Sequence, residues 1–289
     1  MYAYYPGCTL KTQAKGLELS ALASLERLGV RYRELEKWTC CGTVYSLASD
    51  DAMRQVAQVR ILAKAESAGF SRILTLCSMC YNTLKRTNML VRSNPERLET
   101  INMFMDDEPD YQGSVEVKHL LEVLRDEVTF DKIRSTIIRP LKSLKVSAYY
   151  GCLLLRPKTV SIDSSVNPHV MEDLISALGA EPVDSPERAK CCGAYLTVNR
   201  KDLVAGFAHD ILSAARRRGA ELVVTSCPLC FFNLDRRQEE VSRIYEGYEP
   251  IPVLYVTQLL ALALGIRDVY MFNLHHVDPT SLLKSKGLL

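Results

Sequence analysis

The chain has 289 residues, 47% hydrophobic and 24% charged, with 36 basic against 34 acidic side chains and a formal net charge of +2. That length holds two domains of about 150 residues, each with a proper core. The near balance of charge, with no long basic run, leaves no electrostatic footprint for nucleic acid.

In chain order, Met1 to Tyr5 is a short apolar strand, and its lack of a charged lead and apolar stretch argues against a signal peptide. Lys11 to Leu28 has apolar residues at three- and four-residue spacing and predicts an amphipathic helix, as does Asp50 to Ala68. Asp50-Asp51 supplies that second helix with an N-cap and an acidic first turn, and Gly69 stops it. Ile73 to Leu76 is a strand running into Cys77-Ser-Met-Cys80. Asn94 to Gln112, with Pro95, Asp106-Asp107-Glu108 and Pro109, reads as an excursion or a partner surface. Arg134 to Leu144 reads as a linker. The cycle then restarts: strand Lys145 to Tyr150, helices Val170 to Leu178 and Lys201 to Arg218, strand Leu222 to Thr225. The longest apolar stretch, Ile251 to Ile266, carries Pro252, Tyr255, Thr257 and Gln258 and falls short of a membrane span. Asn273 to Leu289 reads as a tail that docks on a partner. Strands alternating with helices of this length imply an α/β fold with right-handed crossovers and mostly parallel sheets flanked by helices.

All ten cysteines fall into two copies of one pattern: Cys8, Cys40-Cys41-Gly42 and Cys77-Ser-Met-Cys80, then Cys152, Cys191-Cys192-Gly193 and Cys227-Pro-Leu-Cys230. The intervening gaps are 31 and 35 residues in the first copy, 38 and 34 in the second. Neighbouring residues repeat as well. Tyr4-Tyr5-Pro6-Gly7-Cys8 answers Tyr149-Tyr150-Gly151-Cys152, and the eight residues from Val117 answer the eight from Val256. This is an internal duplication. It predicts domains 1–139 and 140–289, the second carrying the tail. Each cysteine group follows a strand, so the thiols should gather at the carboxyl edge of the sheets, where open α/β folds bind ligands.

In a reducing, cytoplasmic setting, many cysteines mean metal or redox chemistry rather than structural disulfides. Two Cys-x-x-Cys pairs alone would suggest zinc, but a fifth thiolate finds no place on a tetrahedral ion. A conventional [4Fe–4S] cube also takes four cysteines. The adjacent pair Cys40-Cys41 can diverge toward two metal atoms, or bridge them, which suits an extended multi-iron cluster.

The array resembles the duplicated cysteine-rich (CCG) domain of the B-type subunit of heterodisulfide reductase over almost the whole chain. The residues that carry the resemblance are Tyr4 to Cys8, Trp38 to Gly42, Tyr149 to Pro157, Cys191 to Gly193, and Cys227 to Cys230 followed by Asn233 to Gln238. The resemblance implies two Rossmann-like domains and two noncubane [4Fe–4S] clusters. Cys8, Cys40, Cys41, Cys77 and Cys80 would hold one, and Cys152, Cys191, Cys192, Cys227 and Cys230 the other. It further implies reduction of a disulfide, with that of coenzyme M and coenzyme B as prototype, to two thiols by one-electron steps. No dinucleotide fingerprint or Walker loop occurs. Electrons would therefore come from partners, in the family a ferredoxin-like iron–sulfur subunit and a flavin subunit.

Arg156, Lys158, Arg236 and Arg237 flank the second cysteine set and are candidate anchors for an anionic group on the substrate, set against ordinary solvated helix-face cations. His119 reads as structural, while His169, His275 and His276 have no assigned role. Two other readings stay open. One is an electron-transfer subunit with no disulfide of its own. The other is a scaffold with zinc in one site.

Overall fold

The computed structural model describes residues 1–43 and 52–289, so the Asp50-Asp51 cap lies outside the described residues. The first half contains β1 (Tyr2–Tyr5), α1 (Lys15–Arg27), β2 (Tyr32–Glu34), α2 (Val56–Ser67), β3 (Arg72–Thr75), α3 (Ser78–Ser93), α4 (Pro95–Met103) and β4 (Glu116–His119). Then come α5 (Leu120–Val123), which continues as a π-turn, and α6 (Phe130–Thr136). The second half contains β5 (Lys145–Tyr149), α7 (Val170–Ala177), β6 (Glu181–Val183), α8 (Lys201–Arg217), β7 (Leu222–Thr225) and α9 (Pro228–Arg236). It closes with α10 (Gln238–Ile244), β8 (Val253–Tyr255), α11 (Val256–Ala263) and α12 (Thr280–Ser285).

Two four-stranded sheets result, ordered β2-β1-β3-β4 and β6-β5-β7-β8, and every pair is parallel. The central strands are short apolar runs, Tyr-Ala-Tyr-Tyr in β1 and Leu-Val-Val-Thr in β7, buried along their whole length. Parallel strands covered by helices on both faces need that composition. The α/β duplication is thus present as two like sheets. In each, strand order changes direction between the first and third strands, the switch point at which such sheets open a ligand crevice.

The register corrects one detail of the repeat. Thr75 pairs with His119, and Thr225 with Tyr255. His119 therefore answers Tyr255, three residues from the Gln258 that the apolar pattern suggested. Leucine-rich helix starts slide easily against each other in sequence, whereas strand register does not. Each strand end also caps the helix that follows. Glu122 accepts from the His119 amide at 2.8 Å, and Gln258 from the Tyr255 amide at 2.7 Å.

The halves share one continuous core and pack reciprocally: α1 lies against α11, and α7 against α6. Small residues at four-residue spacing on α1, Gly16, Ser20 and Ser24, admit the close approach. Ser20 Oγ lies 2.7 Å from Thr257 Oγ1. A Cβ on Gly16 would stand 2.7 Å from the Tyr270 carbonyl, so a larger residue there would displace the last segment. Residues 137–144 are laced into the second half, through Ile138 and Arg139 amides to the Ala263 carbonyl and Leu141 to Leu178. The tail docks on its own chain: Asp235 accepts from the His276 and Val277 amides, and Leu283 and Leu288 are buried. The 94–112 excursion contains α4 and is stitched back by Asn102, which bonds the Tyr111 backbone in both directions.

Candidate metal centre

Each Cys-x-x-Cys turn is the start of a helix. Cys77 caps α3 and Cys227 caps α9, both in extended backbone conformation, so Cys80 and Cys230 ride on the first helical turn. Amide hydrogens freed at a helix start favour thiolates there. The Leu229 and Cys230 amides donate to Cys227, and the Cys80 amide to Cys77.

The remaining thiols come from loops: Cys8 and Cys152 follow β1 and β5, and the Cys-Cys pairs follow β2 and β6. Gly7 and Gly151 hold positive φ, 70° and 67°, just before Cys8 and Cys152. A Cβ on either would stand 3.1 Å from the sulfur of Cys80 or Cys230 respectively. Only glycine lets the backbone pass that close to the helix-borne thiol. At the end of each first strand, Tyr5 donates to the Thr39 carbonyl at 2.8 Å and Tyr149 to the Lys190 carbonyl at 2.6 Å. Those carbonyls sit immediately before the Cys-Cys pairs, so each phenol tethers its loop. Burial first, then the surrounding sulfurs, holds both phenols far above their ordinary pKa, which keeps them neutral donors. Gln58 donates to the Cys41 carbonyl at 2.6 Å, and Asn233 to that of Cys192 at 2.9 Å.

The sulfurs form two groups that touch. Cys41 lies 3.3 Å from Cys80, with Cys40 next to Cys41 and Cys77 next to Cys80. In the second group Cys192 lies 3.6 Å from Cys230, with Cys152 next to Cys191 and Cys227 next to Cys230. Cys77 and Cys227, both free thiols, then neighbour one another across the halves, beside Ser78 and Ser226, whose hydroxyl oxygens are 3.1 Å apart. Cys41, Cys77, Cys80, Cys192, Cys227 and Cys230 are buried, while Cys8, Cys40 and Cys191 reach the surface. The bond from Cys41 pushes the Cys80 thiol well up, and the bond from Cys192 does the same to Cys230, with burial adding to both. Neighbouring Cys152, with help from the Gly193 and Ala194 amides and from Arg156, brings Cys191 down to about 6. A narrow pocket of about 20 Å³ opens against the second group, lined by all five of its cysteines together with Tyr195 and, from the first half, Ser78 and Met79.

The four flanking cations are placed differently. Arg156 is exposed, donates to the Ala189 carbonyl at 3.2 Å, and lies close enough to Cys191 to favour its thiolate. Lys158 is exposed in the next turn. Arg236 bonds His276 and pairs with Glu239. Arg237 is buried, bonded to Thr197 and paired with Glu240. His119 is buried and neutral, pushed down to about 4 mainly by burial, and faces the Leu76 carbonyl. Sequence reasoning alone gives no task to Tyr5, Tyr149, Gly7 and Gly151, although all four lie in the repeated motifs. The signal is there: each phenol stands three residues before its cysteine, on a strand that ends at the crevice.

These donors fit an iron–sulfur cluster in kind. They are all thiols, paired in two alike sets, with backbone held close by glycine, and soft sulfur ligands select such centres. Among the described residues no three histidine, cysteine or carboxylate side chains converge as a single-ion site.

A family model for the cysteine-rich domain (CCG) matches residues 2–85 and 146–235. The chain belongs to the CCG cysteine-rich domain family. The two matches take in three of the four strands of each sheet and all ten cysteines. This CCG protein is 37% identical to the 8-methylmenaquinol:fumarate reductase membrane anchor subunit of Wolinella succinogenes, over 97% of this chain and 98% of that one. It is 32% identical to the B-type subunit of the ferredoxin/F(420)H(2)-dependent CoB-CoM heterodisulfide reductase of Methanosarcina acetivorans, over 90% and 88% of the two chains. Other relatives named for the same heterodisulfide reductase component align at 26–29% identity. The crystal structure of a hypothetical protein from Helicobacter pylori superposes with a TM-score of 0.75 at 15% identity, over 95% of this chain and 51% of that one, and so shares the fold. Among the described residues no helix is long and apolar enough to cross a membrane.

Proposed function

We propose that this chain is an iron–sulfur subunit of a cytoplasmic oxidoreductase complex, and that it reduces a small-molecule disulfide to two thiols. In this reading residues 1–139 and 140–289 are the two domains. Cys8, Cys40, Cys41, Cys77 and Cys80 hold one noncubane [4Fe–4S] cluster, and Cys152, Cys191, Cys192, Cys227 and Cys230 the other. When bound, such clusters supply one electron each and soft iron with affinity for sulfur. The protein's part is placement. Helix starts stabilise the thiolates of Cys77 and Cys227, and Tyr5 and Tyr149 fix the Cys-Cys loops. The contact of Ser78 with Ser226, each next to the first cysteine of its Cys-x-x-Cys turn, sets the two thiol sets side by side. That meeting carries the reading, because a disulfide takes two electrons and offers two sulfurs. Partner subunits, one ferredoxin-like and one flavin-bearing, deliver two electrons, and two protons from solvent complete both thiols.

A second reading is favoured by one observation. The 37% identity over nearly the whole chain is to a subunit of a quinol-linked fumarate reductase. There the same two clusters would relay electrons and meet no disulfide. EPR of the anaerobically oxidised protein, with and without added thiols, separates the two. Disulfide chemistry predicts a new paramagnetic species on thiol addition. Spectra indifferent to every thiol would leave the relay.

A further inference from the structure

The loop after Cys152 is held by side chains from the other half of the chain. Helix α3 follows Cys77 and carries Cys80, and its next two residues, Tyr81 and Asn82, reach the second half. Tyr81 donates to the Val160 carbonyl at 3.0 Å. Asn82 is fully buried, and its Nδ2 donates to the Leu153 and Arg156 carbonyls, each at 2.7 Å. Arg125, on the π-turn after α5, donates to the Ile162 carbonyl. Arg156 passes the constraint on, since its guanidinium donates to the Ala189 carbonyl, two residues before Cys191.

The first site is supported differently. Phe231 and Phe232 stand 150 residues after Tyr81 and Asn82, at the matching positions of the second copy, and neither side chain can donate. Phe231 packs on Tyr255 and His275 instead. The loop after Cys8 closes on itself, with the Thr12 and Ala14 amides on the Thr9 carbonyl and the Thr12 hydroxyl on that of Cys8. Among the described residues no second-half side chain bonds the backbone of residues 9–14.

We propose that Asn82, flanked by Tyr81 and Arg125, is a positioning residue for the second metal site: α3 gives its thiols to the first site and fixes the Cys152 loop of the second. This rests on the reading that each thiol set holds a cluster of its own. The dependence runs one way, because the first site's loop is closed by its own half. Groups that fix the backbone of a metal ligand also tune the metal. Without the Asn82 amide two carbonyls lose their donor, which is costly in a buried place, so the loop moves and Cys152 moves with it.

The test compares the anaerobically purified wild type with Asn82→Leu, which removes the donor at similar volume, and with the milder Tyr81→Phe, which copies the second half. Hydrogen exchange reads the two loops and EPR the two sites, with Cys192→Ser showing which signal belongs to the second. Expected are about tenfold faster exchange at residues 153–162 in Asn82→Leu, a smaller rise in Tyr81→Phe, and no change at 9–14. The second site's EPR signal should shift or vanish while the first keeps its g values. Unchanged exchange at 153–162 would overturn the proposal, and so would faster exchange with both signals intact. Equal loss of both signals would overturn it too, since α3 would then serve the two sites alike. Should Asn82→Leu fail to fold, Tyr81→Phe decides by the same criteria. A wild type without iron would overturn the cluster reading itself, whatever the exchange shows.

Discussion

The two thiol sites share a skeleton and differ in their surroundings. Both have a strand ending at Gly-Cys, a phenol tied to the carbonyl before the Cys-Cys pair, and a Cys-x-x-Cys turn opening a helix. Around that skeleton the copies diverge. In the first, Thr43 Oγ1 lies 3.0 Å from Cys41 Sγ, where the second has Ala194. His119 ends β4, whereas Tyr255 ends β8. Arg156, Tyr195 and the pocket belong to the second site. The features that would hold metal are those the duplication preserved. Those free to drift are the ones that tune a site or meet a ligand.

The hardest blow to this comparison is Cys41→Ser against Cys192→Ser. Each should remove about half of the iron and sulfide while leaving a soluble chain, because each removes one thiolate from one cluster. Metal content unchanged in both variants would refute five-thiolate ligation.

Acid titration should separate the halves by sign. His119 is held at about 4, below its ordinary 6.5, so between those values the unfolded chain binds more protons and stability falls as pH falls. Asp235 is raised by burial to about 6 from 3.8, so there the folded chain binds more protons and stability rises as pH falls. Each effect is worth about 3 kcal/mol at most. In urea unfolding between pH 7 and pH 4, His119→Gln should flatten the acid loss and Asp235→Asn should steepen it.

Gly7→Ala and Gly151→Ala test the shared skeleton. Both demand a side chain at positive φ beside a sulfur, so each should cost about 1–2 kcal/mol in thermal or urea unfolding. Each should also loosen metal in its own half. A variant that keeps stability and iron in one copy alone would show that the two skeletons are not equivalent.

The smallest effect is expected at Thr43. Thr43→Val removes a hydroxyl from beside Cys41 and should lower the potential of the first site alone, on the order of tens of millivolts. Ala194→Thr should raise the second in a redox titration.

Much of this was legible in the sequence. The ten cysteines, their spacing and the apolar runs before them gave the duplication, the parallel sheets and the edge at which the thiols collect. Alternation of strand and helix is enough for that, because switch-point geometry follows from strand order. The tail was less legible. It read as a segment for a partner, yet Asp235 and the buried Leu283 and Leu288 fasten it to its own chain. Capping of a distant backbone by a buried carboxylate leaves no periodic trace. The offset at His119 has a similar cause, since strand pairing is non-local. Nor could spacing show that Cys77 meets Cys227, a contact made by the packing of α1 on α11 and α6 on α7.

The most direct test of the central claim is the iron, acid-labile sulfide and zinc content of the anaerobically purified protein. Two four-iron clusters predict about eight irons and a matching amount of sulfide per chain, with no zinc. About four irons, or zinc in either site, would contradict it.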